Sequence, residues 1–210
     1  RFATNRNRVE NREDLGAILE EMFITKPAHW WHLKLSQHQV PVGYFYNHID
    51  APDHVQSGEN QFFTKIDTPK NGEMLFGTFP WRFSDSEPYM TPPPLWGDDT
   101  EEVLEAGFGT PSRVIPMNGS ADLEPGEAPL KGIKVVDLTQ GLCGPYTSLL
   151  MADGGAEVSK VEPPEGDYAR QFMPQHSSEV SVAFMALNRN KRSIRLDLTS
   201  QAGRLDLREL

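Results

Sequence analysis

The sequence predicts an α/β protein with a parallel sheet, and three observations in its second half support this class. Ile133 to Leu138 is a short run rich in β-branched residues, which is typical of a buried parallel strand. A glycine-containing turn follows, and Pro145 with the apolar residues Leu149 to Met151 predicts a helix that stops at Gly154-Gly155. Glu157 to Val161 predicts a second strand. This order is a βαβ unit, and such units bind ligands at the carboxyl ends of their strands.

The first 109 residues predict helices and a hairpin. One helix carries an apolar stripe that we expect to be buried, formed by Leu15, Ile18, Leu19, Met22 and Phe23. A second helix is predicted from Thr25-Pro27 to near Gln39. Residues 61–67 and 74–77 predict a hairpin across Asn71-Gly72. Residues 100–106 predict a short acidic helix that Gly107 ends.

The stretch 110–129 is the predicted domain boundary. It is dominated by Pro, Gly, Ser, Asn and Glu and has no periodicity, which is typical of a linker. We therefore expect an α+β segment at residues 1–109, a linker at 110–129 and an α/β segment at 130–210. Because the first residue is Arg and the last residues predict a helix that is cut short, we expect an internal segment of a longer protein.

The composition argues against several functional classes. The net charge is −10, and the acidic excess falls mainly in residues 1–109, which argues against nucleic-acid binding. No apolar run approaches the roughly 18 residues that a membrane span needs. A single cysteine excludes an internal disulfide and fits a reducing, cytoplasmic location.

Histidines and the cysteine are the obvious reactive candidates. His29 and His32 lie three residues apart near His38, but they lack a matching set of cysteines or carboxylates, so we expect no metal site. Cys143 could act as a nucleophile, because a helix N-terminus lowers the pKa of a thiol. No histidine can be tied to it from the sequence, so a small packing role is favoured. The turn G-L-C-G-P is not a dinucleotide-binding fingerprint.

Specific sequence pieces carry a family resemblance. Residues 130–210 contain L-K-G-I-K-V-V-D-L-T, A-D-G-G-A-E-V-S-K-V-E-P-P, G-D-Y-A-R and L-N-R-N-K-R-S-I-R-L-D-L. This segment resembles the amino-terminal start of class III CoA-transferases (CaiB/BaiF type), the group that includes formyl-CoA transferase and carnitine CoA-transferase. Residues 1–109 contain R-F-A-T-N-R-N-R-V-E-N-R, F-P-W-R-F-S-D-S-E-P and P-L-W-G-D-D-T-E-E-V-L, which resemble the carboxyl-terminal end of the same family.

This resemblance implies the junction of two family units in tandem. It implies a Rossmann-like large domain built from the first and last parts of each unit, with two units interlocked as a pair. The implied substrates are an acyl-CoA and a small carboxylic acid, with coenzyme A as the transferred group and no metal. An aspartate nucleophile, which forms an aspartyl-CoA intermediate, is expected beyond the end of this chain. No catalytic residue is therefore assigned here, and the segment alone is expected to be inactive.

The resemblance also implies which residues contact CoA. The turn after the first strand corresponds to Leu142 and Cys143, where formyl-CoA transferase has a Gln-Ala pair, so only backbone contacts transfer. A second contact group consists of Leu196, Asp197, Leu198 and Thr199, with Thr where Lys is usual. Pro163 stands where formyl-CoA transferase has an arginine, and Arg192 is a possible replacement. Leu196 and Leu198 fit the buried face of a strand equally well.

The tandem layout is similar to that of bacterial dimethylsulfoniopropionate CoA-transferase/lyases. It implies dimethylsulfoniopropionate as an acceptor, with release of dimethyl sulfide. Two alternatives remain open on the sequence. One is an acyl-CoA racemase or dehydratase of the same family, which uses the same CoA cradle. The other is a non-catalytic unit that serves only as the partner half of a pseudo-dimer.

Overall fold

A computed structural model of the chain describes residues 1–86, 90–107, 126–177 and 180–210. Its contacts divide it into two compact units, Arg1–Asp53 and His54–Leu210, which are described separately. Most of the predicted linker lies outside the described residues, so the division into 1–109, 110–129 and 130–210 stays a prediction. Residues 54–107 belong to the same compact unit as residues 126–210.

The first unit consists of three helices: α1 (Asn5–Glu10), α2 (Arg12–Phe23) and α3 (Ala28–Gln37). The predicted positions of α2 and α3 are confirmed. The predicted burial of the α2 stripe is wrong, because none of its side chains is fully buried and Ile18 is 49% exposed. Helical spacing puts these side chains on one face, but burial needs an opposing apolar layer over the whole stripe.

The second unit begins with helix α4 (Val55–Glu59) and an antiparallel hairpin. The hairpin consists of β1 (Phe63–Thr68) and β2 (Gly72–Gly77), as predicted. Gly72 has a φ of +66°, a left-handed conformation that a glycine adopts without strain. Helix α5 (Thr100–Ala106) follows and ends at Gly107, also as predicted.

A three-stranded parallel sheet forms the centre of the second unit. Strand β3 (Lys134–Asp137) leads through α6 (Cys143–Asp153) to β4 (Glu157–Glu162), which confirms the predicted βαβ unit and the α/β class. A short 3₁₀ helix (Tyr168–Gln171) and a small antiparallel pair, β5 (Gln175–Ser177) and β6 (Val180–Ser181), come next. The chain then forms α7 (Val182–Asn188), β7 (Lys191–Arg195) and α8 (Gln201–Glu209), and the strand order is β3-β4-β7.

Apolar cores lie on both faces of this sheet. Val158 of β4 packs with Ala152 of α6 on one face. Val161 of the same strand packs on the other face in a cluster with Val103, Ile194 and Leu196, against which residues of α8 also pack. Alternate β4 side chains therefore enter different cores, as expected of a strand covered on both faces. Lys160 and Glu162 share the α6 face with Val158.

The outer edge of β7 is covered by a segment from far upstream. The Asp99 backbone N donates to the Ser193 carbonyl at 3.1 Å, and Asp99 Oδ2 accepts from the Ser193 backbone N at 2.7 Å. Gly97 N donates to Ser193 Oγ at 2.9 Å. Val103 of α5, only 1% exposed, follows this segment into the core. Residues 97–103 thus pair with an edge that would otherwise present free backbone groups.

Candidate functional site

The carboxyl ends of β3, β4 and β7 meet at one edge of the sheet, and both groups of predicted contact residues lie there. Leu142 and Cys143 lie where the turn after β3 enters α6, and both are exposed. Residues 196–199 directly follow β7. Because β3 and β7 flank β4, the carboxyl ends of these two strands are about 10 Å apart. This edge is where ligands bind in an α/β sheet.

Asp137, the last residue of β3, fixes the start of the turn. Its Oδ1 accepts hydrogen bonds from the Thr139 backbone N at 2.9 Å and from Thr139 Oγ1 at 2.5 Å, and its Oδ2 accepts one from Ser148 Oγ of α6. Burial raises the pKa of Asp137, but these hydrogen bonds and the Lys191 charge outweigh it and hold the pKa below its ordinary value. The carboxylate stays ionised and serves as a fixed acceptor.

Lys160 and Asp167 hold the middle of the turn. Lys160 Nζ lies 2.8 Å from Asp167 Oδ2 and donates to the Thr139 carbonyl oxygen, also at 2.8 Å. Asp167 Oδ1 accepts from the backbone N of Gly141 at 3.1 Å and of Ala169 at 2.8 Å. Both charged side chains are fully buried. The turn is therefore tied to β4 and to the start of the 3₁₀ helix by one ion pair.

Lys191, the first residue of β7, holds the far end of the turn. Its Nζ donates to the Pro145 carbonyl oxygen at 2.8 Å and to Asn188 Oδ1 at 2.8 Å, and it lies 3.2 Å from Asp137 Oδ2. Burial lowers the pKa of Lys191 to about 8, although Asp137 opposes the shift. The ammonium is charged at neutral pH, with every contact directed at α6, α7 or the end of β3.

Glu162 and Arg170 form a third buried ion pair beside these two. Arg170 Nε and Nη2 each donate to a different oxygen of Glu162 at 2.7 Å, and Ser193 Oγ donates to Oε1 at 2.6 Å. Burial raises the pKa of Glu162, but the Arg170 and Ser193 hydrogen bonds outweigh it and the pKa falls below its ordinary value. The Arg170 guanidinium also lies 3.7 Å from the centre of the Phe184 ring.

Sequence reasoning did not find this cluster of three ion pairs, which comprises Asp137–Lys191, Lys160–Asp167 and Glu162–Arg170. The available signal was the run V-S-K-V-E, in which a lysine and a glutamate interrupt a strand otherwise suited to burial on both faces. Charges at such positions need partners, because an isolated buried charge is strongly unfavourable. The partners lie on other elements, at separations that periodicity does not reach.

A narrow contact between Gly141 and Tyr168 closes one side of the turn. Gly141 has a φ of +83°, and a Cβ at this position would lie 2.1 Å from the Tyr168 hydroxyl. Only glycine fits without displacing the tyrosine. Tyr168 remains 54% exposed, so a molecule bound beside Gly141 can reach it.

The second predicted contact group is largely occupied by contacts within the protein. Leu196 is 4% exposed and belongs to the core, and Leu198 packs against the same cluster, so both fit the alternative of a buried strand face. Asp197 Oδ1 accepts from the Thr199 backbone N at 2.9 Å and from Thr199 Oγ1 at 2.5 Å. The CoA contact of this group stays a prediction. Only backbone atoms and the exposed side chains of Asp197 and Thr199 could make it.

Two arginines near the sheet differ in how well they could replace the phosphate-binding arginine that is expected at the position of Pro163. Arg192 lies toward the amino end of β7, with its Nη1 3.7 Å from Glu102 Oε1 of α5, away from the turn. Arg204 of α8 donates to the carbonyl oxygens of Leu198 at 3.0 Å and Thr199 at 2.7 Å. The cation nearest the second contact group is therefore Arg204, which sequence reasoning missed.

Within the described ranges, no three His, Cys, Asp or Glu side chains are grouped as a metal site. None of the helices in those ranges is long and apolar enough to span a bilayer.

Comparison with protein families gives one match that covers most of the chain. A model of CoA-transferase family III matches residues 1–100 and 130–210. Among curated relatives, the chain is 40% identical over 83 residues to succinyl-CoA:glutarate CoA-transferase of Mus musculus, covering 39% of this chain and 19% of the relative. It is 46% identical over 79 residues to succinyl-CoA:mesaconate CoA-transferase of Haloarcula hispanica, covering 36% and 20%. The chain thus spans about a fifth of the length of these relatives.

Solved structures give matches of the same extent. A hypothetical protein from Mycobacterium tuberculosis is 38% identical, with a TM-score of 0.35, over 39% of this chain and 22% of that one. A CaiB/BaiF family protein from Brucella suis is 41% identical, with a TM-score of 0.35, over 37% and 22%.

Proposed function

The chain belongs to CoA-transferase family III, and we propose that its second half forms the CoA cradle of an enzyme that moves CoA from an acyl-CoA to a carboxylic acid. The observation that carries the proposal is the family match over residues 130–210, the segment that contains the braced turn at the carboxyl edge of the sheet. Backbone groups of this turn and the start of α6 are suited to bind a polyanionic ligand, because helix N-termini favour negative charge.

The chemistry that we propose proceeds through an aspartate outside this chain. Its carboxylate attacks the acyl-CoA thioester and displaces the CoA thiolate, leaving a mixed anhydride. The thiolate then attacks the aspartyl carbonyl and releases the donor acid, which leaves an aspartyl-CoA thioester. The acceptor carboxylate attacks this thioester and expels the thiolate, and the thiolate attacks the acceptor carbonyl of the new anhydride, which gives the product thioester and restores the aspartate. Asp137 and Asp167 near the turn are unsuited to this role, because each is buried in an ion pair, and Asp153 at the far end of α6 is buried in a pair with Arg189. This supports placing the nucleophile elsewhere in the protein.

We further propose that the chain joins two family units in tandem. The family model matches two separate stretches of it, 1–100 and 130–210. The end of the first stretch packs on the sheet of the second, since Gly97 and Asp99 hydrogen-bond to Ser193. Joining two halves in one chain raises the effective concentration of each for the other.

The acceptor acid is the finer part of the proposal. Dimethylsulfoniopropionate, with elimination of dimethyl sulfide, is the acceptor that the tandem layout suggests. The test is an assay of the whole enzyme for new CoA thioesters from an acyl-CoA donor and a panel of acids, with dimethyl sulfide measured in the headspace. Thioester formation without dimethyl sulfide would leave the transferase proposal standing and contradict the lyase.

The cradle itself is tested by titrating the 210-residue chain with CoA in a calorimeter. Leu142→Asp places a carboxylate at the turn and should weaken CoA binding at least tenfold by repulsion of the phosphates. Leu75→Asp on β2 is the matched control, because Leu75 is 46% and Leu142 50% exposed. The control should keep the affinity of the unmodified chain. Equal loss in both variants, or no binding by the unmodified chain, would contradict the cradle.

A further inference from the structure

We propose that Lys160 and Lys191 are positioning residues of the CoA-binding turn, whose buried ammonium groups fix the backbone at its two ends. Lys160 Nζ donates to the Thr139 carbonyl oxygen and Lys191 Nζ to that of Pro145, both at 2.8 Å. Between these points Asp167 accepts from the Gly141 backbone N. The inference rests on the proposed role of the turn, and neither lysine is proposed to touch the ligand.

Fixing a carbonyl also orients the amide next to it. The Thr139 carbonyl and the Gln140 N–H belong to one planar trans peptide, so they point in opposite directions. Because Lys160 holds the carbonyl toward the buried cluster, the Gln140 N–H points away from that cluster. The amide paired with the Pro145 carbonyl is that of Tyr146, which donates to the Leu142 carbonyl at 2.9 Å, so Lys191 anchors the first turn of α6 as a unit. Lys160 thereby determines which way the Gln140 N–H faces, and Lys191 holds the start of the helix beside it.

Stability alone does not account for two lysines at these positions. A buried ion pair contributes little net stability compared with apolar side chains of the same volume, because removing both charges from water is costly. An apolar residue could fill the space of Lys160 but could not bond to the Thr139 carbonyl. What the lysine adds over an apolar residue is therefore the direction of a backbone group.

The charges around the two lysines are balanced by buried carboxylates. Lys191 faces Asp137 from β3, Lys160 from β4, Asp167 from the loop after β4 and the Asn188 amide from α7. Lys160 faces Asp167 at 2.8 Å, and Asp137 lies 3.2 Å from Lys191. Each ammonium is thus matched by one carboxylate, and the turn is held by both pairs together.

The test separates positioning from stability with three variants: Lys160→Met, Lys191→Met and, on the opposite face of the sheet, Val103→Ala. Val103 is 1% exposed and lies in the core that contains Val161 and Ile194, so its truncation loosens the sheet without touching the turn. At a temperature where each variant is folded, both lysine variants should lose CoA affinity at least tenfold. Amide hydrogen exchange of residues 139–142 should accelerate by a similar factor. Val103→Ala should change neither.

A pH titration of the affinity adds a readout that a purely structural role would not produce. S-methyl-CoA is the ligand, because it has no ionisable thiol, and Cys143→Ser removes the thiol of the turn. In that background the affinity should decline above pH 8, where Lys191 loses its proton, and the decline should be absent when Lys191→Met is added. A flat profile would overturn the inference even if neither lysine variant folds.

The outcomes distinguish this inference from the proposed function. If the unmodified chain does not bind CoA, the cradle proposal fails. Hydrogen exchange of residues 139–142 in the lysine variants then still tests whether the two lysines fix the backbone of the turn. Unchanged exchange in both lysine variants would overturn the inference. Equal acceleration in Val103→Ala would overturn it as well, because the effect would then follow the stability of the sheet.

Discussion

Replacing Glu162 by glutamine should destabilise the second unit by about 3 kcal/mol, at the low end of the cost of breaking a buried ion pair. Glu162 accepts four hydrogen bonds: two from Arg170 and one each from Ser193 Oγ and the Asp167 backbone N. A glutamine amide would turn an NH₂ group toward two of these donors. The low end applies because the Arg170 side chain is 11% exposed and its freed guanidinium can reach water.

Glu157→Gln is the matched control, because Glu157 lies at the start of the same strand and is exposed. It should change the free energy of unfolding by no more than about 0.5 kcal/mol. The measurement is urea unfolding combined with hydrogen exchange of the β4 and β7 amides, which reports the sheet separately from residues 1–53. A loss below about 1 kcal/mol for Glu162→Gln would refute the reasoning that its four hydrogen bonds depend on the charge.

The pH dependence of Glu162 provides a second check. Its folded pKa lies below the ordinary value of 4.5, so its stabilising contribution is present above that value and is lost as the pH falls through the folded pKa. Acid unfolding of Glu162→Gln should therefore show a smaller loss of stability below pH 4.5 than that of the unmodified chain. Parallel acid profiles would contradict the assigned pKa direction.

Three further predictions follow from the turn and its surroundings. As the pH rises from about 8 to 10.5, the free energy of unfolding should increase by about 3 kcal/mol, because Lys191 loses its proton in the folded state and keeps it in the unfolded state. Urea unfolding measures this increase, and Lys191→Met should abolish it. Gly141→Ala should lower the free energy of unfolding by about 1–2 kcal/mol, whereas Gly58→Ala, which meets no atom within 4 Å, should be neutral or stabilising. S-methyl-CoA, which has no thiol to consume the reagent, should slow alkylation of the exposed Cys143 by iodoacetamide, and pantothenate at the same concentration should not.

The local sequence pattern was sufficient to predict the helices and strands, but it did not predict the cluster of buried ion pairs. Strands β3 and β4, the helix between them and the hairpin all followed from periodicity and turn residues, since those signals act over a few positions. In the sequence, Lys160 and Lys191 cannot be distinguished from surface lysines. Their burial depends on Asp167 and Asp137, which belong to other elements.

The predicted burial of the apolar stripe on α2 was wrong because the pattern was local and burial is not. Its helical spacing is correct, but burial requires an opposing layer, and helical spacing does not say whether one exists. Arg204 was missed because its role depends on where α8 returns toward the end of β7. The local sequence pattern therefore predicted the secondary structure of each segment, whereas its packing partners depended on tertiary contacts that the pattern does not show.

The covered edge of β7 has a consequence for how the chain is made. Residues 97–103, which pair with Ser193 and fill the core beside it, leave the ribosome before any strand of the parallel sheet. Because synthesis runs from the amino terminus, the last strand emerges when its cover is already present on the same chain. An edge strand without such a cover is a template for joining other chains. The order of translation thus protects the nascent sheet from intermolecular association at its last strand.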